Sequence, residues 1–252
     1  MKIAPLIRIF LTGMLVSFLG SLPLGTLNIA AMQLAISDGV LAAMLFSLGS
    51  LLVEIIYVRL SLVAMDWVRK QERLFRALEW ITLLIVVALA VSSFYAAMHP
   101  SVNENVILSS TLPRFVLGLV MSAVNPVQIP FWFGWSTVLF TRKVLQPRAD
   151  HYNSYIAGIG IGTFIGNCLF IFGGLLIANS INNNQHVLNW IIGGIFALTA
   201  LIQLWRIFSK RDAARKLKDP AELTRNIEEQ ADKIDEHLDR LEGDGKADKS
   251  DR

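Results

Sequence analysis

Polar and apolar positions along this chain fall into long blocks. Uncharged, mostly apolar runs cover residues 9–37, 39–53, 80–98, 115–141 and 152–205. A helix that crosses a hydrocarbon core roughly 30 Å thick rises about 1.5 Å per residue and needs about 20 apolar residues. The last run is long enough for two crossings. Its polar cluster at 179–186, Asn-Ser-Ile-Asn-Asn-Asn-Gln-His, is costly in lipid and reads as an external turn. The pattern predicts an all-α integral membrane protein with six transmembrane helices, near 7–36, 39–64, 78–98, 112–140, 152–178 and 186–208. Lys2 and Arg8 ahead of the first run would also suit a signal peptide. A cleavable apolar segment is only about 7–15 residues long, so the first run is expected to be a retained span.

Charge adds orientation. On one side of the six spans lie fifteen Lys and Arg residues, among them Arg8, Arg69, Arg73, Arg142 and Arg148, against Arg114 alone on the other. The positive-inside rule then places both termini in the cytoplasm. The net charge of +3 is explained by topology and gives no sign of a nucleic-acid partner. The single cysteine, Cys168, excludes an internal disulfide or a paired-thiol redox centre.

The chain divides into a transmembrane domain over 1–208 and a charged cytoplasmic tail over 209–252, with 11 Lys/Arg and 13 Asp/Glu. Asp219, Pro220 and Glu222 read as a helix start. Leu223, Ile227, Ile234, Leu238 and Leu241 follow at helical spacing until Gly243 and Gly245. An amphipathic helix of about 20 residues, solvated or lying on a surface, is expected.

Within the membrane domain the chain echoes itself. Phe10-Leu-Thr-Gly13-Met-Leu-Val-Ser17 aligns with Phe115-Val-Leu-Gly118-Leu-Val-Met-Ser122. A helix breaker follows each copy: Pro23 and Gly25 in span one, Asn125-Pro126 with Pro130 in span four. Three spans separate the copies, so the two halves would lie in opposite orientations, the inverted-repeat plan of many secondary transporters. Proline in a helix interior frees backbone carbonyls, which in lipid must find a substrate, water or a side chain such as Ser21, Thr26, Asn28, Asn125 or Gln128. Matched breaks in two halves point to a central binding site formed by Pro23, Gly25, Asn28, Asn125, Pro126 and Gln128 from opposed half-helices, the other reading being kinked helices packed tightly by their neighbours.

Glu54 is the only acid well inside a span. An ionised carboxylate there costs several kcal/mol unless paired or hydrated, so it should face the bundle interior, where it can take up and release a proton. Arg59 is one candidate partner, although five residues on is a poor helical neighbour. Asn167, Gln33 and Gln203 are further intramembrane amides, of which Asn167 joins the candidate substrate-binding set. Such amides also join helices to one another. Gly158, Gly162 and Gly166 form a ridge for close helix packing. Trp132 and Trp135 lie deep enough to line a cavity or to face lipid. The four histidines fall in loops or the tail without metal-ligand spacing, and no phosphate-binding glycine loop occurs. Neither enzyme chemistry nor a bound cofactor is expected.

The chain resembles the LysE/RhtB family of bacterial amino-acid exporters. The matching features are Pro23-Leu-Gly25, the small-residue pattern through Gly39 and Gly49 to Glu54, and Asn125-Pro126. The family's first motif reads Pro-x-Gly-Pro, and Thr26 takes its last position here, adding one backbone donor. The resemblance implies export of an amino acid or related metabolite across a bacterial inner membrane by exchange with a proton, and a homodimer. Glu54 would carry the proton or face a substrate ammonium group. Divalent-cation export, or a scaffold acting through the tail, are the other readings.

Overall fold

In a computed structural model the described residues are 3–22, 25–63, 72–98, 110–125, 127–180, 185–208 and 220–247. They are almost wholly helical: α1 Ile3–Ser21, α2 Thr26–Ser37, α3 Val40–Val63, α4 Glu72–Met98, α5 Arg114–Ala123, α6 Gln128–Thr141, α7 Ala149–Ser180, α8 Gln185–Phe208 and α9 Pro220–Ala247. Helices α3, α4 and α7 are each long and apolar enough to cross a membrane. The pairs α1 and α2, bent by 76°, and α5 and α6, bent by 66°, bring the number to five if each pair is one span. Of α8, the apolar stretch Asn189–Trp205 is shorter. Both bends fall where the sequence places its helix breakers. Pro130, by contrast, sits in the first turn of α6, where its missing amide hydrogen costs no helical bond.

Small residues set the packing. Helices α1 and α7 run parallel in close contact: Ser154 Oγ donates to Leu6 O at 2.7 Å. A Cβ on Gly158 would collide with Phe10 O, one on Gly162 with Met14 O, and one on Gly166 with Ser21 Oγ. Helices α3 and α5 pack in the same way, with Gly49 against Phe115 O and Gly118 against Phe46 O. The two contacts correspond residue for residue. Gly13 meets Tyr155 O as Gly118 meets Phe46 O, and Gly158 meets Phe10 O and Met14 N as Gly49 meets Phe115 O and Leu119 N. Helix α3 runs opposite to α7, since Glu54 reaches Thr163 while Arg59 reaches Asn153. Helices α1 and α5, which carry the echoed sequence, therefore also run in opposite senses.

Trp132 and Trp135 neither line an open cavity nor face lipid. They are 1% and 2% exposed and pack with Val58, Tyr155 and Ile159. Trp190 and Trp205 are exposed toward the two ends of α8, Trp80 is exposed at the start of the apolar stretch of α4, and Trp67 lies outside the described residues. Helix α9 runs on through Gly243 and Gly245, where the sequence suggested a stop. It lies against α1 and α6, burying Ala231, Ile234 and Leu238.

Candidate functional site

The first break lies between Ser21 and Thr26. Gly25, in extended conformation, precedes α2 without a side-chain cap. Asn28 Nδ2 reaches back to donate to Ser21 O at 2.6 Å, satisfying a carbonyl freed at the end of α1. The second break is held in the same manner. Tyr57 OH donates to Ala123 O and Thr82 Oγ1 to Val124 O, both at 2.5 Å. Asn125 Oδ1 accepts from the Val127 amide at 3.3 Å, and α6 likewise lacks a side-chain cap on its first turn. Pro23 and Pro126 lie outside the described residues.

Between the breaks stands Glu54. Thr163 Oγ1 donates to Glu54 Oε2 at 2.8 Å across the contact of α3 with α7. A threonine hydroxyl has one hydrogen, so with that hydrogen on Glu54 the oxygen accepts from Ser17 Oγ, with which it is in hydrogen-bond contact. Ser17 and Thr163 are both buried. On the neighbouring turn of α3, Ser50 O accepts from Ser122 Oγ at 3.1 Å, and Ser122 Oγ accepts from Gln128 Nε2 at 3.0 Å. Arg59 does not pair with Glu54. It points toward the start of α7, over the Tyr152 ring at 5.4 Å and within 3.4 Å of Asn153 Oδ1.

Asn167 is buried one helical turn beyond Thr163 and lines a cavity of about 320 Å³ with Met44, Leu48, Phe164 and Ser47. The Ser47 hydroxyl and both amide atoms of Gln33 are buried without a hydrogen-bond partner among the described residues. Of the residues singled out from sequence, Glu54, Gln128 and Asn167 thus gather around α3. Gly25, Asn28 and Asn125 shape the breaks on either side. Thr163, Tyr57 and Thr82 did not stand out in the sequence, because single hydroxyls in apolar helices usually bond their own backbone, and Ser122 stood out only as part of the echo. Thr163 does directly follow Gly162, and that adjacency is the one signal for it.

The family model described as LysE type translocator matches residues 18–205, three-quarters of the chain, a stretch that takes in both breaks and Glu54. The chain belongs to the LysE type translocators. No curated protein and no solved structure matches it. A LysE type translocator is a membrane transporter with a small-molecule substrate, and the apolar helices described above are those of a protein in a bilayer. In this translocator the Glu54 carboxylate on α3 is hydrogen-bonded to Thr163 and, through it, linked to Ser17.

Proposed function

We propose that this protein exports an amino acid or related small metabolite from the bacterial cytoplasm by proton antiport, and that Glu54 is the proton-carrying group. The hydrogen bond from Thr163 to Glu54 carries the reading, because it places the one interior acid among groups that adapt to its protonation. With Glu54 ionised, Ser17 and Thr163 donate in sequence toward the carboxylate. A proton on Glu54 makes it a donor, and hydroxyl rotation lets Thr163 and Ser17 accept in turn without moving a helix.

A zwitterionic substrate needs an anion and a cation site. The uncapped first turns of α2 and α6 offer amide hydrogens and the positive ends of two helix dipoles to a carboxylate, with Pro23, Gly25, Asn125 and Pro126 shaping the approach. Asn28, Gln128 and Asn167 supply neutral polar contacts, and ionised Glu54 takes the ammonium group. Proton and ammonium would then compete for one carboxylate, which is how exchange is coupled.

Six spans, with α8 as the sixth, and two inverted three-helix repeats complete the proposal, with both termini in the cytoplasm and the membrane domain over 1–208. The matching glycine contacts of α1 with α7 and of α5 with α3, and the opposite senses of α1 and α5, support the repeat. The two halves can then rock about Glu54 to expose it to either side in turn. The test is counterflow of radiolabelled amino acids in proteoliposomes with and without a pH gradient. Gradient-dependent flux that Glu54→Gln loses while remaining folded is the expected result, and no flux of any amino acid from the intact protein would overturn the assignment.

A further inference from the structure

Helix α9 joins the two bent helix pairs on one side of the molecule. Asp235 lies between two arginines, 3.3 Å from Arg8 on α1 and 3.3 Å from Arg142 at the end of α6. Asp239 adds a second pair to Arg8 at 3.1 Å, Asp232 a second to Arg142 at 2.8 Å, and Arg142 also donates to Glu228 O at 2.9 Å. Helix α1 begins the first bent pair and α6 ends the second, so one tail helix ties an element of each half to the other.

The contact is built to be reversible. Among the described residues its buried apolar side chains are Ala231, Ile234 and Leu238, with Ile227 partly buried beside them. Beside them a cavity of about 480 Å³ remains, lined by Pro5, Ile9, Lys143 and Val144 together with the ion pairs. The outer carboxylates are open to solvent, Asp232 and Asp239 being 72% and 64% exposed at the side chain, while Asp235 between the arginines is 30% exposed. Ion pairs of this kind are screened by salt, since the Debye length shrinks from about 10 Å at 0.1 M to about 3 Å at 1 M. A scaffold helix would keep its apolar face for a partner, whereas here that face is spent on the chain's own membrane domain.

We propose that α9 is an autoinhibitory latch: docked, it prevents Arg8 and Arg142, and with them the cytoplasmic ends of the two halves, from separating, and rising cytoplasmic ionic strength releases it. The inference rests on the transporter reading, because a latch needs a motion to block. Opening the central site toward the cytoplasm requires α1 and α6 to part there, and α9 bridges that gap.

Two measurements test it, one of which needs no substrate. In nanodiscs, with Cys168→Ser as background, spin labels at Thr141→Cys and Lys233→Cys report the distance between α6 and α9. A single narrow distance at about 50 mM salt is expected, broadening to longer distances at about 500 mM and in Asp235→Asn/Asp239→Asn at either salt. A distance indifferent to both would overturn the latch. In proteoliposomes, the full-length double variant should transport at least about threefold faster than the unaltered chain at low ionic strength and lose the salt response. Equal or lower flux from it would refute autoinhibition. Absence of flux from every form would overturn the transporter reading, and autoinhibition with it, while the label distance still judges whether α9 docks.

Discussion

Thr163 Oγ1 and Glu54 Oε2 are 2.8 Å apart, although 109 residues separate them in the chain. The hydrogen bond crosses from α7 to α3 and gives the interior acid a partner that is itself bonded to Ser17 on α1. Three helices are thereby linked to one carboxylate, and the tight glycine contacts of α1 with α7 bring Ser17 up to Thr163.

Removing the partner should resemble a partial loss of the acid. A hydrogen bond to a charged group is worth about 1.5–3 kcal/mol, so Thr163→Val should lower gradient-driven flux about tenfold or more, and Thr163→Ser should restore most of it. Proteoliposome flux measured as a function of pH checks this. Equal flux from Thr163→Val and the unaltered protein would remove Thr163 from the mechanism.

Glycines two residues apart on α7, and so on opposite faces of the helix, should differ in what they tolerate. A Cβ at Gly158 meets the Phe10 carbonyl, whereas one at Gly160 meets nothing within 4 Å. Gly158→Ala should cost about 1–3 kcal/mol of stability, as overpacking does. Gly160→Ala should be neutral or gain up to about 1 kcal/mol from helix propensity. Thermal unfolding in detergent separates the two, and similar melting temperatures would contradict the packing described for α1 and α7.

The carbonyls at the second break should be expensive to expose. Tyr57→Phe leaves Ala123 O without its donor, and an acceptor left unpaired away from water in the bilayer costs about 1–3 kcal/mol. Asn28→Ala should do the same to Ser21 O at the first break. Lower melting temperatures for both variants are expected, with Phe at position 57 isolating the hydroxyl because the ring is kept.

Topology can be read chemically. In the Cys168→Ser background, Thr111→Cys, exposed ahead of α5, should react with an impermeant maleimide added to intact cells. Gln146→Cys, exposed between α6 and α7, should react only after the membrane is opened. The opposite pattern would invert the orientation read from the basic residues.

By itself the sequence determined the helical membrane class, the places where helices break and the identity of the interior acid. Each of these is written in neighbouring residues. A span is a contiguous apolar run, a break is a proline or glycine acting on its own backbone, and Glu54 stands out because nothing near it in the chain is acidic. The glycine ridge of α7 was legible for the same reason, since its spacing alone puts three small residues on one face. Tertiary structure decided everything that depends on how helices are rotated and paired. It turned Glu54 toward Thr163 and Arg59 away to Tyr152, buried Trp132 and Trp135, and gave the freed carbonyls of the second break to Tyr57 and Thr82. It also folded the charged tail back onto Arg8 and Arg142. An α-helix shows a different residue every 100°, and in a span apolar on all sides the hydrophobic pattern no longer says which face is inward. Only contact with the neighbouring helices fixes that rotation.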